Sequence, residues 1–166
     1  MPQTIAAFLA VLTMMTFSVN YQRSEIRTQQ RIVSNELEVI ANAVASEAMH
    51  HVATKSFDAA VASGAVTRDN PNAKLLTPAS SFGNKAYADA VDIDDFNGVK
   101  GHRVFYEVED SLGFDLDVEF VVTYVDDGGA KSLTPTLTKQ VAVRVSSADN
   151  LFNPIEMTRQ FSPRWY

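Results

Sequence analysis

Cysteine is absent from the 166 residues. Disulfides and thiolate chemistry are therefore excluded, and a zinc site would have only histidine and carboxylates to draw on. Glycine and proline are missing from Thr4 through Ser63, so the strongest helix breakers are absent from that stretch. Charge is missing from Ile5–Val19 (IAAFLAVLTMMTFSV). Basic residues are in the minority: the net charge is −6 and the pI is near 5.0. That balance argues against nucleic acid as a general partner, because a phosphate binder needs a basic face. The familiar catalytic signatures are missing too. There is no G-x-S-x-G, no P-loop and no G-x-G-x-x-G. No local pattern favours a Ser-His-Asp arrangement. The expectation is a non-enzyme.

What remains is a folded chain rather than a disordered one, since 46% of its residues are hydrophobic and 20% charged. Its first 60 or so residues read as one helix, residues 1–63, which at ~1.5 Å per residue would reach roughly 90 Å. The other hundred or so residues would make a globule only about 25–30 Å across. Most of such a helix needs a membrane, a partner or copies of itself.

The helix has two halves. Residues 1–21 are an apolar assembly or membrane segment, with Ile5, Phe8, Leu9, Val11, Leu12, Met15, Phe17 and Val19 as the candidate interface. The run Ile5–Val19 is shorter than the ~20 residues of a typical spanning helix. A cleaved signal peptide fits less well, because no Lys or Arg precedes the run and no A-x-A-like site follows it. A buried core helix could use the same residues. Residues 22–63 are amphipathic. Ile26, Val33, Leu37, Ile40, Val44 and Ala48 recur at helical steps on one face, with Glu25, Glu36, Glu38 and Glu47 off it. Arg23, Arg27 and Arg31 share a face, either solvated or set beside lipid headgroups or acidic neighbours. Charge alone leaves the membrane orientation open. His50 and His51 point about 100° apart on a helix and do not form a chelating pair. Gly64 is the first plausible C-cap, with Pro71 beyond it.

Residues 64–102 form a connector. It is long for a structureless loop, which predicts order or a function in it. Asp92-Ile93-Asp94-Asp95-Phe96-Asn97-Gly98 is its densest acidic cluster. Asp92, Asp94, Asp95 and Asn97 are a weak candidate Ca²⁺ site, since clustered oxygen ligands suit a hard cation. The spacing is not that of an EF-hand, and the same residue types make good turns through side-chain-to-backbone bonds. The turn is the favoured reading, and no cofactor is expected.

Residues 103–166 read as an antiparallel sheet of about four strands: Arg103–Glu109, Phe114–Asp126, Leu137–Ser146 and Ile155–Ser162. The second alternates Leu116, Val118 and Phe120 against Asp115, Asp117 and Glu119. A bend or bulge is expected at Val121-Val122, where alternation breaks. The third places Val141, Val143 and Val145 on one face. Asp110-Ser111-Leu112-Gly113 and Asp126-Asp127-Gly128-Gly129 supply turns. His102 falls in an expected turn, and Trp165 and Tyr166 are either contact residues or packed back on the domain. The fold class is α+β, a long helix packed on a C-terminal antiparallel sheet.

This layout resembles that of type IV pilins and pseudopilins. Asp92–Gly98 (DIDDFNG) is similar to a short acidic motif of minor-pilin-like proteins. Val118–Tyr124 (VEFVVTY), Lys139–Val145 (KQVAVRV) and Pro154–Phe161 (PIEMTRQF) are similar to parts of their β-domain. The resemblance covers nearly the whole chain and is architectural. The chain departs from the family at Met1-Pro2-Gln3-Thr4-Ile5, which shows neither the Gly before the processing point nor the Glu at the fifth mature position. It also lacks the helix-breaking Gly or Pro of the first half and the cysteine-closed loop. The resemblance implies a structural subunit of an extracellular, cell-surface helical filament. Its partners would be identical subunits and, before assembly, the inner membrane. The alternatives are a membrane-anchored envelope binding domain that does not polymerise and, third, a secreted enzyme.

Overall fold

A computed structural model describes residues 2–83, 85–99, 102–109, 112–149 and 151–165. The fold is α+β: a long N-terminal helix followed by an antiparallel sheet. Helix α1 (Pro2–Ala53) is followed by the single turn α2 (Ala59–Ala62). The strands are β1 (His102–Glu109), β2 (Leu112–Val125), β3 (Lys131–Ser132), β4 (Lys139–Ser147) and β5 (Ile155–Phe161). The chain divides into two compact units, Met1–Leu37 and Glu38–Tyr166.

The first unit is helix throughout its described length. Its run of Ala, Leu, Met and Gln residues without Gly or Pro favours that conformation. Thr16 Oγ1 donates to the carbonyl of Thr13 at 2.7 Å, and Thr13 Oγ1 donates to that of Leu9. The two threonine hydroxyls within the apolar run are thus satisfied on their own helix.

The second unit has its own core. The main sheet path is β1-β2-β4-β5, all antiparallel, with the two-residue β3 paired to β2. Alternation sets its inner face: Leu116, Val118, Phe120, Val122 and Tyr124 of β2 and Val141, Val143 and Val145 of β4 are buried. Ala41, Ala45, Ala48, Met49 and Val52 of α1 are buried in the same unit. Phe96 links the two sets, its ring 5.8 Å from His51 on the helix and 5.4 Å from Phe120 on the sheet. On the predicted stripe, Leu37 and Ala48 are buried, Ile40 and Val44 half-buried, and Ile26 and Val33 exposed.

Four features differ from the sequence expectation. Helix α1 ends at Ala53, not near Ser63. Thr54 Oγ1 bonds back to the carbonyl of His51, Ser56 pairs with Asp92, and the Ile93 N–H takes the Ser56 carbonyl at 2.9 Å. Phe57 and Asp58 turn inward instead of continuing the helix. Second, β2 runs through Val121-Val122 without a break, pairing with β4 from Leu116 to Tyr124; the irregularity lies between Glu107 and Glu109. Exposed Val121 is a hydrophobic residue on the outer face, not a sign of a bulge. Third, the sheet has a fifth, two-residue strand. Fourth, His102 opens β1 rather than sitting in a turn.

The connector is ordered, as its length predicts. It carries 3-10 turns at Ala73–Leu75, Ala79–Ser81, Tyr87–Asp89 and Ile93–Phe96. Val66, Leu76, Phe82, Ala90, Ile93, Phe96 and Val99 are buried. It is a layer of core, not a loop over it. Gly83 is required there: its φ is +91°, and a Cβ would collide with the Asn97 carbonyl. Asp110, Ser111 and Tyr166 lie outside the described residues. Trp165 is half-buried in a cleft shared with Phe57, Ile93 and Phe161.

Candidate functional site: a buried lysine between two aspartates

The predicted interface residues of the first unit stand as a continuous exposed apolar surface. Ile5, Phe8, Leu9, Val11, Leu12, Met15, Phe17 and Val19 are all exposed, Phe8 at 65% and Phe17 at 74%. Among the described residues no helix is long and apolar enough to cross a membrane.

The predicted acidic cluster folds as a turn whose four polar residues face different groups. Asp92 caps the Ile93–Phe96 turn by accepting from the Asp95 N–H, and Asp95 returns the bond to the Asp92 N–H. Asp95 Oδ2 also takes Lys85 Nζ at 2.8 Å and the Val91 N–H at 2.9 Å. Burial alone would raise the Asp95 carboxyl, but Lys85 and these N–H groups hold it below the usual carboxylate range. Asn97 Oδ1 accepts from the Val122 N–H at 2.9 Å, tying the turn to β2. Asp94 points elsewhere, toward Lys139.

Lys139 opens β4, and its side chain has no exposed surface. It sits two residues before Val141 on the inward face, so strand alternation carries it into the core. Its ammonium donates to the Phe57 carbonyl at 2.7 Å and to Asp58 Oδ2 at 2.9 Å, and it lies in close contact with Asp94 Oδ1. Three aromatic rings wall the cation: Phe57, Tyr124 and Phe82, with centroids 4.3, 5.2 and 5.4 Å from Nζ. The Tyr124 hydroxyl donates to the Thr77 carbonyl at 2.7 Å. Burial first, and the aspartates beside it second, raise the phenol well above its ordinary value, so it stays a donor.

The two carboxyls are not equivalent. Asp58 Oδ1 accepts from the Ala60 N–H and Oδ2 from the Thr77 N–H, besides Lys139. Burial opposes its charge, but Lys139 and the Ala60 N–H outweigh it and hold Asp58 below the ordinary carboxylate value. Neither Asp94 oxygen has a regular hydrogen-bond partner among the described residues; the approach of Nζ to Oδ1 is a close ionic contact instead. Burial, reinforced by Asp58, raises Asp94 to about 7 despite Lys139. Two carboxyls at one cation therefore divide into an ion and a group that holds its proton up to neutrality.

This centre went unread in the sequence, although a signal was there. Extending the Val141-Val143-Val145 face backward by two residues lands on Lys139. By sequence pattern alone Asp58 falls in helix, and Asp94 in a turn or cation loop. The histidines form a different cluster. His51 and His102 both stack on Tyr87, their centroids 4.9 and 3.7 Å from that of its ring. Burial lowers both imidazoles, aided by Lys55 at His51 and by His51 at His102. His50 is exposed and belongs to no such group. No protein-family model, no characterised protein and no solved structure matches this chain.

Proposed function

We propose that the protein is a structural, non-catalytic subunit of an extracellular pilus-like filament, which polymerises by bundling the apolar ends of its helices. The observation that carries this reading is the exposed, uncharged surface of Ile5–Val19. Fully burying a large apolar side chain is worth roughly 1.5–3 kcal/mol, so nine such residues in the run give over about 10 kcal/mol gross. Ordering costs on association reduce that sum. The back-bonded hydroxyls of Thr13 and Thr16 require no polar partner when the surface is covered. A bundle of identical helices also sets no minimum length on the apolar run, whereas a bilayer core of ~30 Å does. Before assembly the same end would shelter at the inner membrane, with local thinning offsetting its shortness. Repetition of one contact that does not close into a ring then gives a helical polymer.

The test is deletion of residues 1–19. The full chain is expected to form filaments in negative-stain micrographs. The truncated chain is expected to be a soluble monomer with an unchanged melting temperature. Polymers from the truncated chain would overturn the proposal. So would a full chain that stays monomeric once detergent is removed, in favour of an anchored envelope domain that does not assemble.

A further inference from the structure

We propose that Lys139 and Asp94 join through an intramolecular isopeptide bond, formed by the folded chain itself with Asp58 as proton carrier. The inference concerns residues 38–166 alone and does not depend on the filament reading.

Three observations carry it. The amine is already placed against the carboxyl group it would attack, with no exposed surface on Lys139 and only 4% on the Asp94 side chain. Groups held in such a geometry react at effective concentrations of roughly 10⁵–10⁸ M. The walls of Phe57, Phe82 and Tyr124 shut out bulk water, which favours a condensation that expels water over its reversal. The hydrogen bonding divides the labour between the carboxyls. Asp58 is held as an anion by two backbone N–H groups and Nζ, whereas Asp94 lacks regular donors. A protonated carboxyl is a better electrophile than a carboxylate, and Asp94 is the one that burial pushes toward its protonated form, up to about 7.

The step balances without any added reagent. Asp58 takes one proton from the ammonium, leaving a neutral amine. The Nζ lone pair attacks Cγ of the protonated Asp94, forming the C–N bond and a tetrahedral centre. A second proton moves from nitrogen to the departing hydroxyl, with Asp58 as relay. The C–O bond breaks and one water leaves. The products are the Nζ–Cγ amide, one water and a protonated Asp58. Two buried charges and an underbonded carboxyl are replaced by a neutral amide, which removes the cost of keeping ions in the core. The link also fastens the Asp92–Gly98 turn covalently to the start of β4.

The experiment is intact-mass and tandem mass spectrometry of the purified full chain, denatured before measurement. The expected mass is one water below that of the sequence, with a branched peptide joining Lys139 to Asp94. The full sequence mass overturns the proposal. So does a loss of water confined to a linear peptide, as succinimide formation at Asp127-Gly128 would give. In Asp58→Asn the branch is expected to be lost while the circular dichroism spectrum keeps its folded form. A branched peptide in that variant overturns the role of Asp58.

Discussion

The two units of this chain handle hydrophobic residues in opposite ways. In Glu38–Tyr166 the apolar side chains of the inner sheet face, a helix stripe and a long connector bury one another. In Met1–Leu37 the large apolar side chains of Ile5–Val19 are exposed, Met14 at 76% and Phe17 at 74%, and Leu37 at the end of the unit is buried. The second unit has its core within itself. The first is a helix whose apolar run Ile5–Val19 is exposed, and a helix can bury such side chains only against something else. The difference separates stability from association: changes in residues 38–166 should be read in melting, and changes in residues 5–19 in assembly.

The sharpest way to break that contrast is Phe17→Glu. A charge in the middle of a bundled apolar surface is expected to abolish polymer formation, since an unpaired buried ion costs far more than one side-chain contact supplies. The melting temperature of residues 38–166 should not move. A fall in melting temperature there would mean that the helix end supports the sheet unit, and the division would fail.

The next largest effect belongs to the other unit. Lys139→Ala removes the group that Asp58 and Asp94 share, the cation before the amide forms and the cross-link after it, and leaves the Asp58 carboxylate uncompensated in a closed site. Breaking a buried ionic centre from one side costs about 3–5 kcal/mol. For a domain of this size that lowers the melting temperature by more than about 10 °C. Calorimetry checks it, and a shift of only a degree or two would show that the centre contributes little. Polymer formation, if the variant is held below its melting point, should persist.

The smallest expected effect sharpens the reading of the acidic turn. Asp95 has its carboxyl held below the ordinary value in the folded chain. Its stabilising contribution is therefore present above the ordinary carboxylate pKa of 3.8 and is lost as pH falls through the depressed folded value. Asp95→Asn is expected to cost about 1 kcal/mol at pH 7, the scale of a lost cap. At pH 2 the variant and the parent should melt closer together, as the parent loses the same contribution. A gap that stays constant with pH would mean that charge at Asp95 is not what the turn uses.

Much of the sheet was legible because strand alternation is a local property. The inward set Leu116, Val118 and Phe120 needed only the next residues to be continued through Val122 and Tyr124. The expected bulge arose from giving exposed Val121 a packing role it does not have. The end of α1 was not legible. Nothing within Thr54–Ser63 forbids helix, and the stop depends on Ser56 meeting Asp92 and Asp58 meeting Lys139. These are contacts across dozens of residues, invisible to any window. Burial of the connector was foreseen only as order of some kind, for the same reason.

By itself the sequence determined the helix, its uncharged apolar end and the face of each strand. These follow from backbone propensity and from periods of 3.6 and 2, which a residue carries wherever it is placed. Only the tertiary structure decided where the helix stops, and which of three neighbouring aspartates meets the lysine. It also decided that one carboxyl at that lysine is held below the ordinary carboxylate value while burial raises the other above it. Those outcomes depend on desolvation and on N–H donors brought in from Ala60 and Thr77, and such effects exist only once the chain has closed around them.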